Sequence, residues 1–181
     1  MSWIDDNKLF LNIPIEELLA LVIYGESANQ GQEGMQGVLS VIRNRAKESK
    51  FIDSSISSLT GNNLYGVILK KWQFSAFNLD DPVRAKLVTM GNNFGHYLSV
   101  NANLRKAYDL ARNAFNTALP DNTGGATYYH TRWISPYWSK VYTITTKIGD
   151  HIFYSDKSMP YITAGGVIIT GIILYFLYIK K

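Results

Sequence analysis

The sequence predicts an α+β domain, mainly helical with a small irregular β part, followed by one C-terminal transmembrane helix. Three observations carry this. Apolar residues recur at helical spacing in three segments of the chain's first two thirds. From Ala126 to Tyr154 the texture changes to Thr, Tyr, Trp and Val, residues that suit strands. The chain then runs without a charge from Tyr161 to Ile179. A length of 181 residues allows one domain with a sizeable core.

The first helix is expected over residues 13–26. Pro14 suits the first helical position, and Glu16 and Glu17 fall in the first turn, where the helix dipole favours them. Ile15, Leu18, Leu19 and Val22 form one apolar stripe, and Glu26 follows Val22 on that same stripe. A carboxylate on a buried face is unusual, because an unpaired buried charge is costly. A second helix is expected over residues 31–47, with Met35, Val38, Leu39, Ile42 and Ala46 inward. Residues 52–68 are rich in Ser, Asn and Gly, with turn signals at Gly61-Asn62-Asn63. Leu64 to Lys71 is a short amphipathic piece. Asp80-Asp81-Pro82 marks a helix start, and Asn92 to Gly95 a turn. The third clear helix covers residues 104–119, with Leu104, Ala107, Tyr108, Ala111 and Phe115 on one side. Pro120 to Gly125 is a loop, and residues 126–133, 140–147 and 148–154 read as extended.

The domain is therefore expected over residues 1–155 and a linker over 156–160. The transmembrane helix is expected over 161–179, about 28 Å long at 1.5 Å per residue and close to a bilayer's thickness. Tyr161, Tyr175 and Tyr178 lie towards its ends, and Lys180 and Lys181 close it. The expected location is a membrane, with a single C-terminal anchor. The N-terminus carries no charged-then-apolar export signal. Anchor, missing signal and small size together point to a phage protein, held in a virion membrane or acting in lysis at the host envelope. Other virion proteins are then candidate partners.

Formal charge is +4, and the first 155 residues hold 15 basic and 13 acidic ones. That weak bias suits an anionic polymer but falls short of the clustered basic face that nucleic acid requires, so no nucleic-acid partner is expected. No cysteine is present, which excludes thiolate metal sites and a cysteine nucleophile. His96, His130 and His151 show no metal-ligand spacing, so no metal or cofactor is expected, and His151 reads as a structural hydrogen-bonding residue.

Four motifs stand in order: Tyr24-Gly25-Glu26-Ser27, Trp72 to Asn78 (WQFSAFN), Thr123 to His130 (TGGATYYH), and His151 to Tyr154 (HIFY). In this order and spacing they resemble the SleB-like cell-wall hydrolases, the spore-cortex lytic enzymes whose relatives occur in phage lysis proteins. The resemblance implies a lysozyme-like fold over roughly Leu18 to Tyr154 and a peptidoglycan glycan strand as substrate. It implies Glu26 as the catalytic residue. It also implies Gln73, Phe74, Ser75, Asn78, Thr123, Gly124, Gly125, Tyr128 and Tyr129 as substrate-binding residues. The chain departs from the family in having Gln30 where a second Glu is usual, Asn122 where Pro is common, and an insertion over about Val88 to Asn103.

The chemistry of the residues agrees. Glycoside cleavage needs an acid to protonate the leaving oxygen. A Glu on an apolar stripe is desolvated, which raises its pKa and keeps it protonated near neutral pH. A lytic transglycosylase needs no second carboxylate, because the substrate's own C6 hydroxyl attacks C1 and the same Glu takes up that proton. A hydrolytic muramidase would need a base for water, for which Asp80 and Asp81 are the nearest candidates. A non-catalytic wall-binding membrane protein would be expected to lose Glu26, and a peptidase or amidase would need a zinc constellation or a Cys/His pair. The aromatic groups of Tyr128, Tyr129, Phe74, Trp133 and Trp138 are candidate sugar-stacking walls. Arg43 and Arg45 are candidates to bind muropeptide carboxylates, but are read first as a solvated or ion-paired helix face.

Overall fold

A computed structural model describes residues 3–116 and 119–157, and the paired backbone at 161–162 and 168–169. Two short helices, α1 (Trp3–Asp6) and α2 (Lys8–Leu11), lead into α3 (Ile15–Ser27). Pro14 stands just before α3 in extended conformation, where its missing N–H costs nothing. Every residue from Leu18 to Tyr24 is buried. The sequence showed one stripe, but a helix that is apolar all round belongs inside a core. Helix α4 (Gly31–Arg45) packs against α3 through Met35, Val38, Leu39 and Ile42.

The Ser-, Asn- and Gly-rich stretch holds two helices, α5 (Ser54–Thr60) and α6 (Asn63–Ile68), with the expected turn between them and α6 within the start of the amphipathic piece. Their ends explain them. Asp53 accepts from the N–H groups of Ser55 and Ile56, Gly61 closes α5 at φ 67°, and Asn62 accepts from Leu64 N–H. Ile56, Val67 and Ile68 then anchor the pair in the core. Helix α7 (Pro82–Asn92) starts at Asp81, which accepts from Val83 N–H, and Asn93 separates it from α8 (Phe94–Val100). The region of the expected insertion is thus the end of α7, all of α8 and the start of the helix that follows at Ala102. Helix α9 (Ala102–Asn116) lies along α3 and buries Leu104, Ala107, Leu110 and Ala111. Phe115, expected on the inner side, is exposed.

A three-stranded antiparallel sheet follows: β1 (Tyr128–Thr131), β2 (Thr143–Ile148) and β3 (His151–Ser155), in the order β1-β3-β2. Tyr129 pairs with Phe153, and Thr131 with His151. The sheet docks on α4, where Val41, Ala126 and Phe153 form a small second core with Tyr129 packed against it. Asp156 and Lys157, assigned to a linker, are tied to the body by ion pairs with Lys50 and Glu48.

The expected transmembrane helix is corrected. Among the described residues no helix is long and apolar enough to cross a membrane. The described parts of that stretch are two short antiparallel strands, β4 (Tyr161–Ile162) and β5 (Ile168–Ile169). The β-branched Ile162, Ile168 and Ile169 suit extended pairing. Hydropathy, on which the expectation rested, does not separate an apolar helix from apolar strands. The remaining residues of 161–179 lie outside the described ones.

Candidate active site

Glu26 stands in the last turn of α3 and reaches a cleft of about 450 Å³ between the helices and the sheet. Its Oε1 accepts from Ala76 N–H at 3.1 Å, with Ser75 Oγ at 3.5 Å, and its Oε2 accepts from Tyr129 Oη at 2.9 Å. Burial pushes the Glu26 carboxyl above the usual carboxylate range, and the charge of Asp81 pushes the same way. The hydrogen bonds from Ala76 and Tyr129 and the charge of Arg45 oppose this without cancelling it. A helix C-terminus is also the negative end of the dipole, a poor place for a carboxylate. The site therefore favours a protonated Glu26 while offering donors ready for its anion.

The donors come from two directions. Ala76 and Ser75 lie in a 3-10 turn over Ser75–Phe77 that follows Phe74 in extended backbone. Tyr129 comes from β1, where burial and the neighbouring Glu26 hold its hydroxyl well above the usual phenol range, so it stays a donor. His151, on β3, meets the Tyr129 ring edge-on at 5.1 Å. It lines the cleft, is only 3% exposed, and its Nδ1 has no partner. Burial lowers its pKa and favours the neutral imidazole.

Arg45 is the residue that sequence reasoning misplaced. It is 7% exposed, not solvated. Its Nε donates to Thr127 O at 2.7 Å and its Nη1 to Gln73 O at 3.3 Å. The guanidinium lies 5.4 Å from the Phe51 ring centroid, 5.0 Å from that of Phe74 and 6.0 Å from that of Tyr128. One side chain thus joins α4, the Gln73 loop and the approach to β1. Arg43 instead donates to Leu119 O at 2.7 Å.

Of the residues implied by the family resemblance, Glu26, Gln73, Ser75, Asn78 and Tyr129 line the cleft. Gln73 is fixed by donating to Phe51 O, and Asn78 Oδ1 is buried without a partner. The others do not line it. Phe74 is buried beneath Arg45. Thr123, Gly124 and Gly125 form a loop around Asp121, whose carboxylate accepts from Thr123 N–H, Thr123 Oγ1 and Gly125 N–H. Gly124 at φ 65° and Gly125 at φ 83° occupy conformations other residues rarely take, so these positions serve the loop's shape. Tyr128 neighbours Tyr129 on a strand and must face the other side. It packs on Phe51, Trp138 and Tyr142 instead.

Of the other aromatic candidates, Trp138 lines the cleft and Trp133 does not. Trp72, unassigned by the sequence, stands at the rim. Gln30 lies outside the cleft and holds the β2–β3 turn: its Oε1 accepts from Asp150 N–H at 2.8 Å and its Nε2 donates to Asp150 Oδ2 at 3.3 Å.

Comparison with known proteins accords with this arrangement. The profile of the family described as Cell Wall Hydrolase matches residues 29–154, beginning just after Glu26. Among curated proteins none matches the chain. The catalytic domain of the germination-specific lytic transglycosylase SleB from Bacillus anthracis is 27% identical with a TM-score of 0.54, over 77% of this chain and 93% of that one. The catalytic domain of the Bacillus cereus SleB protein is also 27% identical with a TM-score of 0.54, over 77% of this chain and 88% of that one. With a profile match across most of its length and a fold shared with both domains, the chain belongs to the SleB-like cell wall hydrolase family.

Proposed function

We propose that the chain is a peptidoglycan lytic transglycosylase that cleaves the bond between N-acetylmuramic acid and N-acetylglucosamine with Glu26 as both acid and base. The observation that carries this is that Glu26 is the sole carboxylate among the described residues lining the cleft. Asp81, the nearest candidate base for a hydrolase, is engaged as the cap of α7 at 2.8 Å from Val83 N, and Asp80 does not line the cleft. The solved relative from Bacillus anthracis is described as a lytic transglycosylase, which supports the same class.

Glu26 begins protonated and gives its proton to the glycosidic oxygen as the bond to C1 breaks. Its new carboxylate is met by Tyr129 and Ala76 N–H. The C6 hydroxyl of the same muramyl residue attacks C1, and Glu26 takes the proton that hydroxyl loses. A 1,6-anhydro sugar forms and Glu26 is again protonated. The polymer substrate places the enzyme at a bacterial envelope, and a phage lysis or virion role is part of this proposal.

The test is digestion of purified peptidoglycan followed by mass spectrometry. Anhydro-muropeptides are expected. Reducing-end products would make the enzyme a muramidase. Glu26→Gln is expected to lower the rate by about 10²–10⁴ or more, since the same group serves both proton steps. Full activity in that variant would overturn the mechanism.

A further inference from the structure

A second cavity of about 310 Å³ adjoins the catalytic cleft, at the small end of the range for ligand sites. Trp72 and Asn78 line both, so the two cavities share this wall. Trp3, Asp6, Lys71 and Asp80 form much of the remaining wall. Two features of the shared boundary need a cause. Trp72 is 68% exposed, a poor place for a large indole unless something covers it. Its φ is 67°, the left-handed region, and among the described residues no other side-chain-bearing residue adopts it. Such strain persists where the surroundings enforce it and clusters at binding sites.

The wall behind Trp72 is fixed. Trp3 Nε1 donates to Leu69 O at 2.6 Å, which holds the second indole in place. Lys71 Nζ lies 5.3 Å from the Trp72 ring centroid and leaves that ring between a cation and solvent. A broad aromatic face beside hydrogen-bonding groups matches a pyranose, which has an apolar C–H face and a polar rim. A polymer cleaved at Glu26 must continue past the cleft, and Trp72 offers it an exposed ring where the adjoining cavity meets the cleft.

We infer that the second cavity is a saccharide subsite for the glycan strand, in which Trp72 stacks on a sugar distant from the cleaved bond. This rests on the glycan-strand reading above. The occupant is a sugar of the strand itself rather than its stem peptide.

The test uses the full chain carrying Glu26→Gln, titrated with peptide-free glycan oligosaccharides of increasing length, and with the same lengths bearing stem peptides. Affinity is expected to rise with length in this parent. Adding Trp72→Ala or Trp72→Gly should remove about tenfold of that rise, while Trp72→Phe keeps most of it. Trp72→Gly suits the local backbone, so its thermal stability at or above the parent's separates lost stacking from lost folding. A rise unchanged by Trp72→Gly would overturn the inference, as would no rise in the parent. A loss seen only on peptide-bearing strands would assign the cavity to the peptide and overturn it too. If the natural chain yields no anhydro products yet Trp72 still governs binding of the longer oligosaccharides, the proposed reaction fails and the subsite stands.

Discussion

The hydroxyl of Tyr129 donates to Glu26 Oε2 at 2.9 Å, and that bond favours the charged form of the carboxyl. Burial works against the charged form and is the larger effect. The acid step needs Glu26 protonated, so kcat/KM should fall as pH rises through the Glu26 pKa. Tyr129→Phe removes the donor and leaves the ring in place against Phe153, 5.7 Å away. The anion then loses a stabilising partner, its pKa moves further up, and the alkaline limb should shift to higher pH. A hydrogen bond to a charged group is worth about 1.5–3 kcal/mol, so the shift should be about one to two pH units. The rate at the optimum should fall about tenfold, because the carboxylate formed during cleavage has lost the same donor. A pH profile of kcat/KM checks this, and a limb that moves to lower pH would sink the assignment of Glu26 as the titrating acid.

At the scale of elements, Gln30 shows how a departure from the family's pattern is absorbed. It caps the β2–β3 turn through the backbone and side chain of Asp150, next to Gly149 at φ 56°. A Glu there would face the Asp150 carboxylate, so Gln30→Glu should destabilise the chain by about 1–2 kcal/mol, read as a lower melting temperature that recovers at acid pH. An unchanged melting curve would mean that the turn holds itself. The same scale shows what the sequence made legible. Glu26 was visible because a carboxylate on an apolar stripe needs explaining, and the three long helices were visible in their spacing. Helix α6 showed only as a short amphipathic piece and α5 not at all, because Ser and Asn favour caps and turns, and the capping contacts of Asp53 and Asn62 define both. Arg45 was hidden for a different reason. Its partners, Gln73 and Thr127, are far along the chain, and a charge on a helix carries no mark of what folds over it. The Tyr128–Tyr129 pair held its answer in the two-residue period of a strand, but the neighbouring glycine loop drew both residues into one reading.

On the scale of the whole molecule, the site lies on a seam: Glu26 belongs to the helical core, while Tyr129 and His151 belong to the sheet. Their separation is therefore set by how the sheet docks on α4. Gly37 lies at that docking, against Phe153. A Cβ there would stand 2.7 Å from Phe153 Cζ, and Phe153 is fully buried with its ring stacked on Tyr129. Gly37→Ala gains about 0.5–1 kcal/mol of helix propensity. It also forces an enclosed ring to move, which costs about 1–3 kcal/mol, so the packing term should win and the melting temperature should fall. Because the displaced ring carries Tyr129 with it, kcat should fall more than stability alone explains, and the alkaline limb should move in the same direction as in Tyr129→Phe. Pairing Gly37→Ala with Phe153→Leu returns space to the joint and should recover part of the lost stability. If Gly37→Ala melts and reacts like the natural chain, the sheet can shift freely on α4, and the distance between Tyr129 and Glu26 is fixed by something other than this contact.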